Sequence, residues 1–299
     1  MHTLYYKPSG KANSISFLYL LSVICIAVPI LALAYTYAIL YIPIIYLNIL
    51  CVVGIAFGLA FVASFVIGLG KVRNTMIAFL FGLIIGIASL YFSWVIWIYD
   101  HINASAFNNV SHLELLQDPF GLWDVTWQIN NVGTWAIGRS ASANISGTML
   151  TVVWILEAAA MILPPIFFAY SKAREPYLED DNAWADTTKI GPFEFIEDKE
   201  TLKKQLETKN YQSLLEMKPV SDENDSSHGI LTLHHNKKRT HGKEFYLSVI
   251  NMKERIDKKG NVTYDETSLI QFIRIPQEIG QQLIAKIETS IQVPIIDNQ

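Results

Sequence analysis

Glu157 is the one charged side chain between residues 140 and 171, inside the run WILEAAAMILPPIFFAYS. A lone carboxyl in apolar surroundings can bind and release a proton, pair with a cation, or accept hydrogen bonds from neighbouring helices. Facing lipid it would cost about 2–3 kcal/mol, so it should face other helices or water. A helix entering the apolar layer near Met149 carries Glu157 about 12 Å inward at ~1.5 Å per residue. The polar residues expected at similar depth are Asn48, Tyr91 and Ser93, with Tyr35 and Thr36. Two readings of this cluster stand side by side. In one, Glu157 is a proton- or cation-responsive acid open to the outer side. In the other, it is an internal polar tie that fixes helix packing or reaches Arg139 or surface water. The inner parts of the same segments are almost wholly apolar, which favours the tie.

His228, His234, His235 and His241 form the only other grouping with ligand chemistry. Their spacing matches no zinc pattern, no cysteine lies near them, and adjacent strand residues point to opposite faces. No metal or cofactor is expected. Cys25 and Cys51 fall inside apolar segments, where a thiol behaves as a small hydrophobe. No paired acids or nucleophile–base set appears, so the sequence gives no reason to expect an enzyme.

The elements that would position Glu157 emerge from the charge map. Of the 299 residues 51% are hydrophobic and 17% charged, below the quarter usual in soluble domains. No Lys, Arg, Asp or Glu occurs in residues 12–70 or 74–99. With about 20 apolar residues per crossing, these windows and 140–171 hold four spans, near 15–37, 44–69, 75–98 and 149–171. Pro43 divides the first window. Ala32-Leu33-Ala34 imitates a signal cleavage site, but the apolar run continues past it, and span one reads as an uncleaved anchor. Lys7, Lys11, Lys71, Arg73, Lys172 and Arg174 fall on one side of this arrangement and Arg139 on the other. The positive-inside rule then puts both termini in the cytoplasm. Gly54-x-x-x-Gly58 and Gly82-x-x-x-Gly86 offer close helix approach in spans two and three, or self-association into a homo-oligomer. Pro164-Pro165 should kink span four.

The outer loop, 100–148, reads as two short helices divided by Pro119. Trp123 and Trp127 share a face suited to the headgroup layer. Residues 175–192 read as a linker. From 172 onward the chain carries 18 Lys and Arg against 22 Asp and Glu, a soluble composition too acidic for a nucleic-acid site. Within 193–299 the pattern predicts a short strand at 193–196, a helix capped by Asp198, three strands with a DKKGN hairpin, and a closing helix after Pro276. The fold class is therefore an α-helical transmembrane bundle of four spans (1–174) plus a small cytoplasmic α+β domain with an antiparallel sheet. Both faces of the middle strand are apolar, and one of them is expected to stay open to a partner.

KPSGK, the GKVRN loop, YFSWVIWI, INNVGTWAIG and WILEAAAMI together resemble an uncharacterised family of bacterial multi-pass membrane proteins. The resemblance covers mainly residues 1–171. It implies a bacterial inner-membrane location and brings no assigned activity. Members carry Cys pairs after the last span and in the tail hairpin, suggestive of a zinc ribbon. This chain has REPYLEDD and HHNKKRTH there, so that metal site does not transfer. The expected role is display of a cytoplasmic domain for interaction with an unknown protein partner or for sensing. The alternative is a small-solute or ion transporter built on the cluster around Glu157.

Overall fold

The structure is a computed structural model that describes residues 4–42, 44–103, 110–133, 135–136, 144–220, 227–238, 244–258 and 261–291. It divides into two compact units, residues 9–174 and residues 1–8 together with 175–299.

The first unit contains helices α1 (Ile15–Ser22), α2 (Val28–Tyr41), α3 (Ile45–Leu69), α4 (Thr75–Asn103), α5 (His112–Gln117), α6 (Pro119–Val132) and α7 (Gly147–Lys172). Helices α1 and α2 form one rod, Ile15–Tyr41, joined through a π-helical segment at Val23–Ala27. Pro29 follows that segment; a widened turn relieves the clash between a proline ring and the carbonyl four residues earlier. Four helices are thus long and apolar enough to cross a bilayer, close to the boundaries expected from the charge gaps. The rod runs to Tyr41 rather than 37, and α4 to Asn103 rather than 98. Pro43 lies outside the described residues, but Ile42 before it is extended, as a residue preceding proline prefers. The outward faces carry Leu50, Phe57, Phe61, Leu156, Leu163 and Phe167, with Phe61 70% exposed. So much bare apolar surface is stable against lipid and not against water.

Inside the bundle Leu59, Ile67, Ala78, Phe81, Ile85, Met161 and Ala169 pack into a dry core. Helix α4 meets α7 through its glycines. A Cβ on Gly82 would lie 2.5 Å from the Pro165 carbonyl oxygen, and one on Gly86 would lie 2.8 Å from Ile162 Cα. The Gly82 pair therefore joins span three to span four. Among the described residues a Cβ on Gly54 would meet nothing within 4 Å, and one on Gly58 only the side chain of Leu31 at 3.5 Å. Pro164 and Pro165 sit within a continuous α7. At one end of the bundle the N-terminal segment joins the 70–74 turn: Gly10 N–H donates to the Arg73 carbonyl at 3.0 Å, and Arg73 N–H to the Lys11 carbonyl at 2.8 Å. Asn74 caps α4 by accepting from Met76 and Ile77 N–H at 3.0 and 3.1 Å.

At the other end, α5 opens with a Ser111–Glu114 capping box, and Asp118 caps α6 through Gly121 N–H at 2.8 Å. The two helices expected around Pro119 are present. Leu115 and Leu122 pack on Val95 and Ile98 of α4, while Trp123 and Trp127 contact each other edge-to-face and stay exposed. Strands β1 (Trp135–Ala136) and β2 (Asn144–Ile145) pair just before α7.

The second unit holds β3 (Tyr177–Leu178), β4 (Ala183–Trp184), β5 (Asp186–Glu194), α8 (Lys199–Glu207), α9 (Gln212–Leu215), β6 (His228–His235), β7 (Phe245–Ile256), β8 (Val262–Ile275) and α10 (Gln277–Ile291). Strands β5 to β8 form one antiparallel sheet in sequence order, with β6 and β7 inside. Leu231 pairs with Val249 and Leu233 with Leu247. These residues pack with Ile273 and Ile275 against Leu202, Leu206, Leu214 and Leu283 of the helices.

Three expectations are corrected here. Residues 175–192 are not a linker. Tyr177 and Leu178 are each 1% exposed and anchor the β3–β4 hairpin, whose acidic turn is closed by the Tyr177 hydroxyl donating to Asn182 Oδ1 at 2.5 Å. The strand expected at 193–196 begins at Asp186 and ends at Glu194. The unit also recruits the start of the chain: Tyr6 N–H donates to the Phe272 carbonyl at 2.9 Å, and Arg274 N–H to the Leu4 carbonyl at 2.8 Å. Phe272, at φ 54°, lies where the β7–β8 register shifts, and its N–H donates to Ser248 Oγ at 3.2 Å. Tyr6 packs edge-to-face on Tyr246 and Phe272, so the second sheet face is partly covered and carries Thr232, His234 and Ser248 as well as apolar groups.

Candidate functional site

Glu157 stands ten residues into α7, level with the last turns of α2, the first turn of α3 and the second half of α4. These four elements enclose a cavity of about 160 Å³. Its walls are Tyr35, Thr36 and Ile39 from α2, Asn48 from α3, Ser93, Trp94 and Trp97 from α4, and Val153, Trp154 and Glu157 from α7. The polar side chains arrive here because each lies near the same end of its helix, where the apolar pattern is interrupted.

The Tyr35 hydroxyl donates to Glu157 Oε1. Tyr35 is buried, so α2 and α7 are tied through an interior hydrogen bond rather than at the surface. Thr36 is fully buried and its hydroxyl donates to the Ser93 carbonyl at 3.5 Å, a long contact. Asn48 Oδ1 and Ser93 Oγ are buried and have no partner among the described residues. Buried polar atoms normally are paired, so these two are unsatisfied groups packed within the wall.

Three indoles complete the site. Trp94 and Trp154 meet edge-to-face with centroids 4.8 Å apart, Trp94 and Trp97 at 5.4 Å, and Trp97 and Trp154 at 6.3 Å. Trp97 also lies against the ring of His101, one turn further along α4. Below the cavity the dry core of Leu59, Ile67, Phe81 and Ile85 begins.

Of the residues expected to cluster, Glu157, Asn48 and Ser93 share this cavity, together with Tyr35 and Thr36. Tyr91 does not. Its hydroxyl donates to the Leu116 carbonyl at 2.8 Å and fastens α4 to α5. Position 91 lies two residues from Ser93, which turns it to another side of the helix. Arg139 lies outside the described residues. The sequence reading missed the tryptophans, although Trp94 and Trp97 are three apart and Trp154 precedes Glu157 by three, the spacing of one helix face.

The histidines are not assembled into a ligand set among the described residues. His234 Nε2 lies 3.1 Å from Ser248 Oγ with its ring on Phe272, while His235 stacks on Phe245 and its Nε2 lies 2.9 Å from Thr188 Oγ1. The neighbours face opposite ways, as strand alternation requires. Burial, with a smaller contribution from His235, pushes the His234 imidazole down to about 4. His241 lies outside the described residues.

No family model, curated protein or solved structure matches this chain. The geometry therefore carries the functional argument. The cavity wall combines one carboxyl, two buried polar groups without partners among the described residues and three indoles. Among the described residues it offers no second carboxyl and no paired nucleophile and base for covalent chemistry.

Proposed function

We propose that this chain is a four-span protein of the bacterial inner membrane that binds a small solute in the cavity around Glu157 and displays its α+β domain to a cytoplasmic protein partner. The observation that carries this reading is a polar and aromatic cavity at one end of the bundle that stops on a tightly packed apolar core. A binding site needs such a chamber; a transport path needs polar groups through the whole thickness. Transport is the second reading, and Glu157 is its reason, because intramembrane acids commonly serve coupling to protons or cations.

The proposed orientation, with both termini in the cytoplasm, rests on the basic residues. Lys11 and Arg73 join through backbone hydrogen bonds at the end opposite the cavity, and Lys172 lies beside Gly68 there. Positive charge gathered at one end is what the cytoplasmic side favours. The bilayer is the remaining partner, covering the exposed phenylalanines and leucines. The open face at Gly54 leaves room for a homo-oligomer.

Single cysteines in a background lacking Cys25 and Cys51 test both claims. Val153→Cys in the cavity wall and Gln128→Cys on α6 should react with a membrane-impermeant thiol reagent applied to intact cells. Glu200→Cys on α8 should react only after permeabilisation. In inverted vesicles Val153→Cys should be protected. Labelling of Val153→Cys from both sides would replace binding with transport, and labelling of Glu200→Cys in intact cells would reverse the orientation.

A further inference from the structure

We infer that the cavity around Glu157 is a site for a small organic ammonium ion carrying a hydrogen-bond donor, of the choline or ethanolamine kind. The inference rests on the reading of this cavity as a binding site and adds the class of ligand. Four features of the wall converge on it.

The first is charge. Glu157 receives the Tyr35 hydroxyl on Oε1, and Oε2 has no partner among the described residues. Among the described residues no Lys, Arg or His lines the cavity. A carboxylate removed from bulk water and lacking a basic neighbour is most stable with a cation beside it. The second is the aromatic lining. Trp94, Trp97 and Trp154 all line the cavity and meet one another edge-to-face. Indole is the strongest π partner for a cation, and enclosure by several rings is how proteins hold alkylated ammonium groups. An alkali or alkaline-earth ion would instead require six or more oxygens, which a wall half made of indole and aliphatic carbon does not supply.

Size is the third feature. A volume of about 160 Å³ is room for several waters, and so for one compact ion. The fourth is a pair of buried polar atoms without partners among the described residues. Asn48 Oδ1 is an acceptor, and Ser93 Oγ is both acceptor and donor. Both atoms are covered. On rotation of these two side chains toward the cavity, a ligand hydroxyl or N–H on a head held by Glu157 and the indoles would satisfy groups that the protein itself leaves unpaired. An ammonium with a short alcohol arm fits all four features.

The same chemistry occurs in free amino alcohols and in lipid headgroups, and the test separates them. The full chain is placed in nanodiscs of phosphatidylglycerol, and its tryptophan fluorescence is followed during titration with choline. The expected result is a saturable change. It should weaken about tenfold or more in Glu157→Gln and in Trp154→Leu, with thermal midpoints near wild type for Glu157→Gln. The neutral isostere 3,3-dimethylbutan-1-ol should bind at least about tenfold more weakly, the scale of one cation–π or carboxylate contact. Adding phosphatidylethanolamine to the disc should lower the apparent affinity for choline if a lipid headgroup is the occupant, and should leave it unchanged if a free solute is. Absence of saturable change with both choline and ethanolamine overturns the inference, as does equal binding of the neutral isostere or an unaltered titration in Glu157→Gln. If Val153→Cys still labels from one side in that event, the cavity stands as a binding site and only the ligand class falls.

Discussion

Replacing Gly82 with alanine should loosen the bundle where α4 crosses α7. The added Cβ would stand 2.5 Å from the Pro165 carbonyl oxygen and 2.6 Å from Ile166 Cα, both backbone atoms that cannot swing aside. Ordinary carbon contacts begin near ~3.5 Å, so the helices must part by about 1 Å. Overpacking of this kind costs about 1–3 kcal/mol. Alanine recovers up to ~1 kcal/mol of helix propensity over glycine, leaving a net loss of up to about 2 kcal/mol. Gly54→Ala is the matched control, since its Cβ would meet nothing within 4 Å and its propensity gain stands alone. Reversible unfolding in mixed micelles with increasing sodium dodecyl sulfate reads both. The Gly82 variant should unfold at lower detergent fraction and Gly54→Ala at the wild-type fraction or above. Because the same crossing spaces Trp94 and Trp97 from Trp154, Gly82→Ala should also weaken choline binding. A Gly82 variant as stable as wild type, or a Gly54 variant equally weakened, would refute the assigned helix crossing.

Two further outcomes follow from the α+β unit. His234 is held near pH 4 in the fold but titrates near its ordinary 6.5 when unfolded, so the unfolded chain binds the extra proton between those values. Its contribution to stability is complete above pH 6.5 and is lost as pH falls from 6.5 towards 4. With allowance for partial solvent exposure this is on the order of 1–2 kcal/mol. Thermal scans at pH 7 and pH 5 should show a larger loss in wild type than in His234→Gln, and equal losses would contradict the burial of that ring. Tyr6→Ala removes the ring packed on Tyr246 and Phe272, and should speed hydrogen exchange of the Arg274 amide about tenfold as Leu4 leaves the β8 edge. An unchanged exchange rate would mean that residues 4–6 do not pair there.

The spans were legible because charge is excluded from them, while two of their ends, at Tyr41 and Asn103, were read four or five residues short because polar residues begin before the helix stops. Depth along each span, set by helical rise alone, puts Glu157 level with Asn48, Ser93, Tyr35 and Thr36, which line one cavity. Facing is a different quantity. Tyr91 has the right depth and the wrong direction, and depth alone does not tell which face of α4 or α7 carries the three indoles. The 175–192 hairpin was hidden because its anchors, Tyr177 and Leu178, are only two residues set against an acidic turn. The pairing of residues 4–6 with 272–274 leaves no local pattern, because the partners are separated by most of the chain.

A double-mutant cycle on Tyr35→Phe and Glu157→Met tests the central claim, that the acid faces an interior site shared by α2 and α7. Each single variant removes the hydrogen bond and strands one buried partner, at a cost of about 1–3 kcal/mol. The double variant strands neither. Measured by unfolding in mixed micelles, the coupling between the two positions should be at least about 1 kcal/mol in favour of the native pair. Additive losses, with coupling indistinguishable from zero, would show that Glu157 does not meet Tyr35 inside the bundle and would contradict the account.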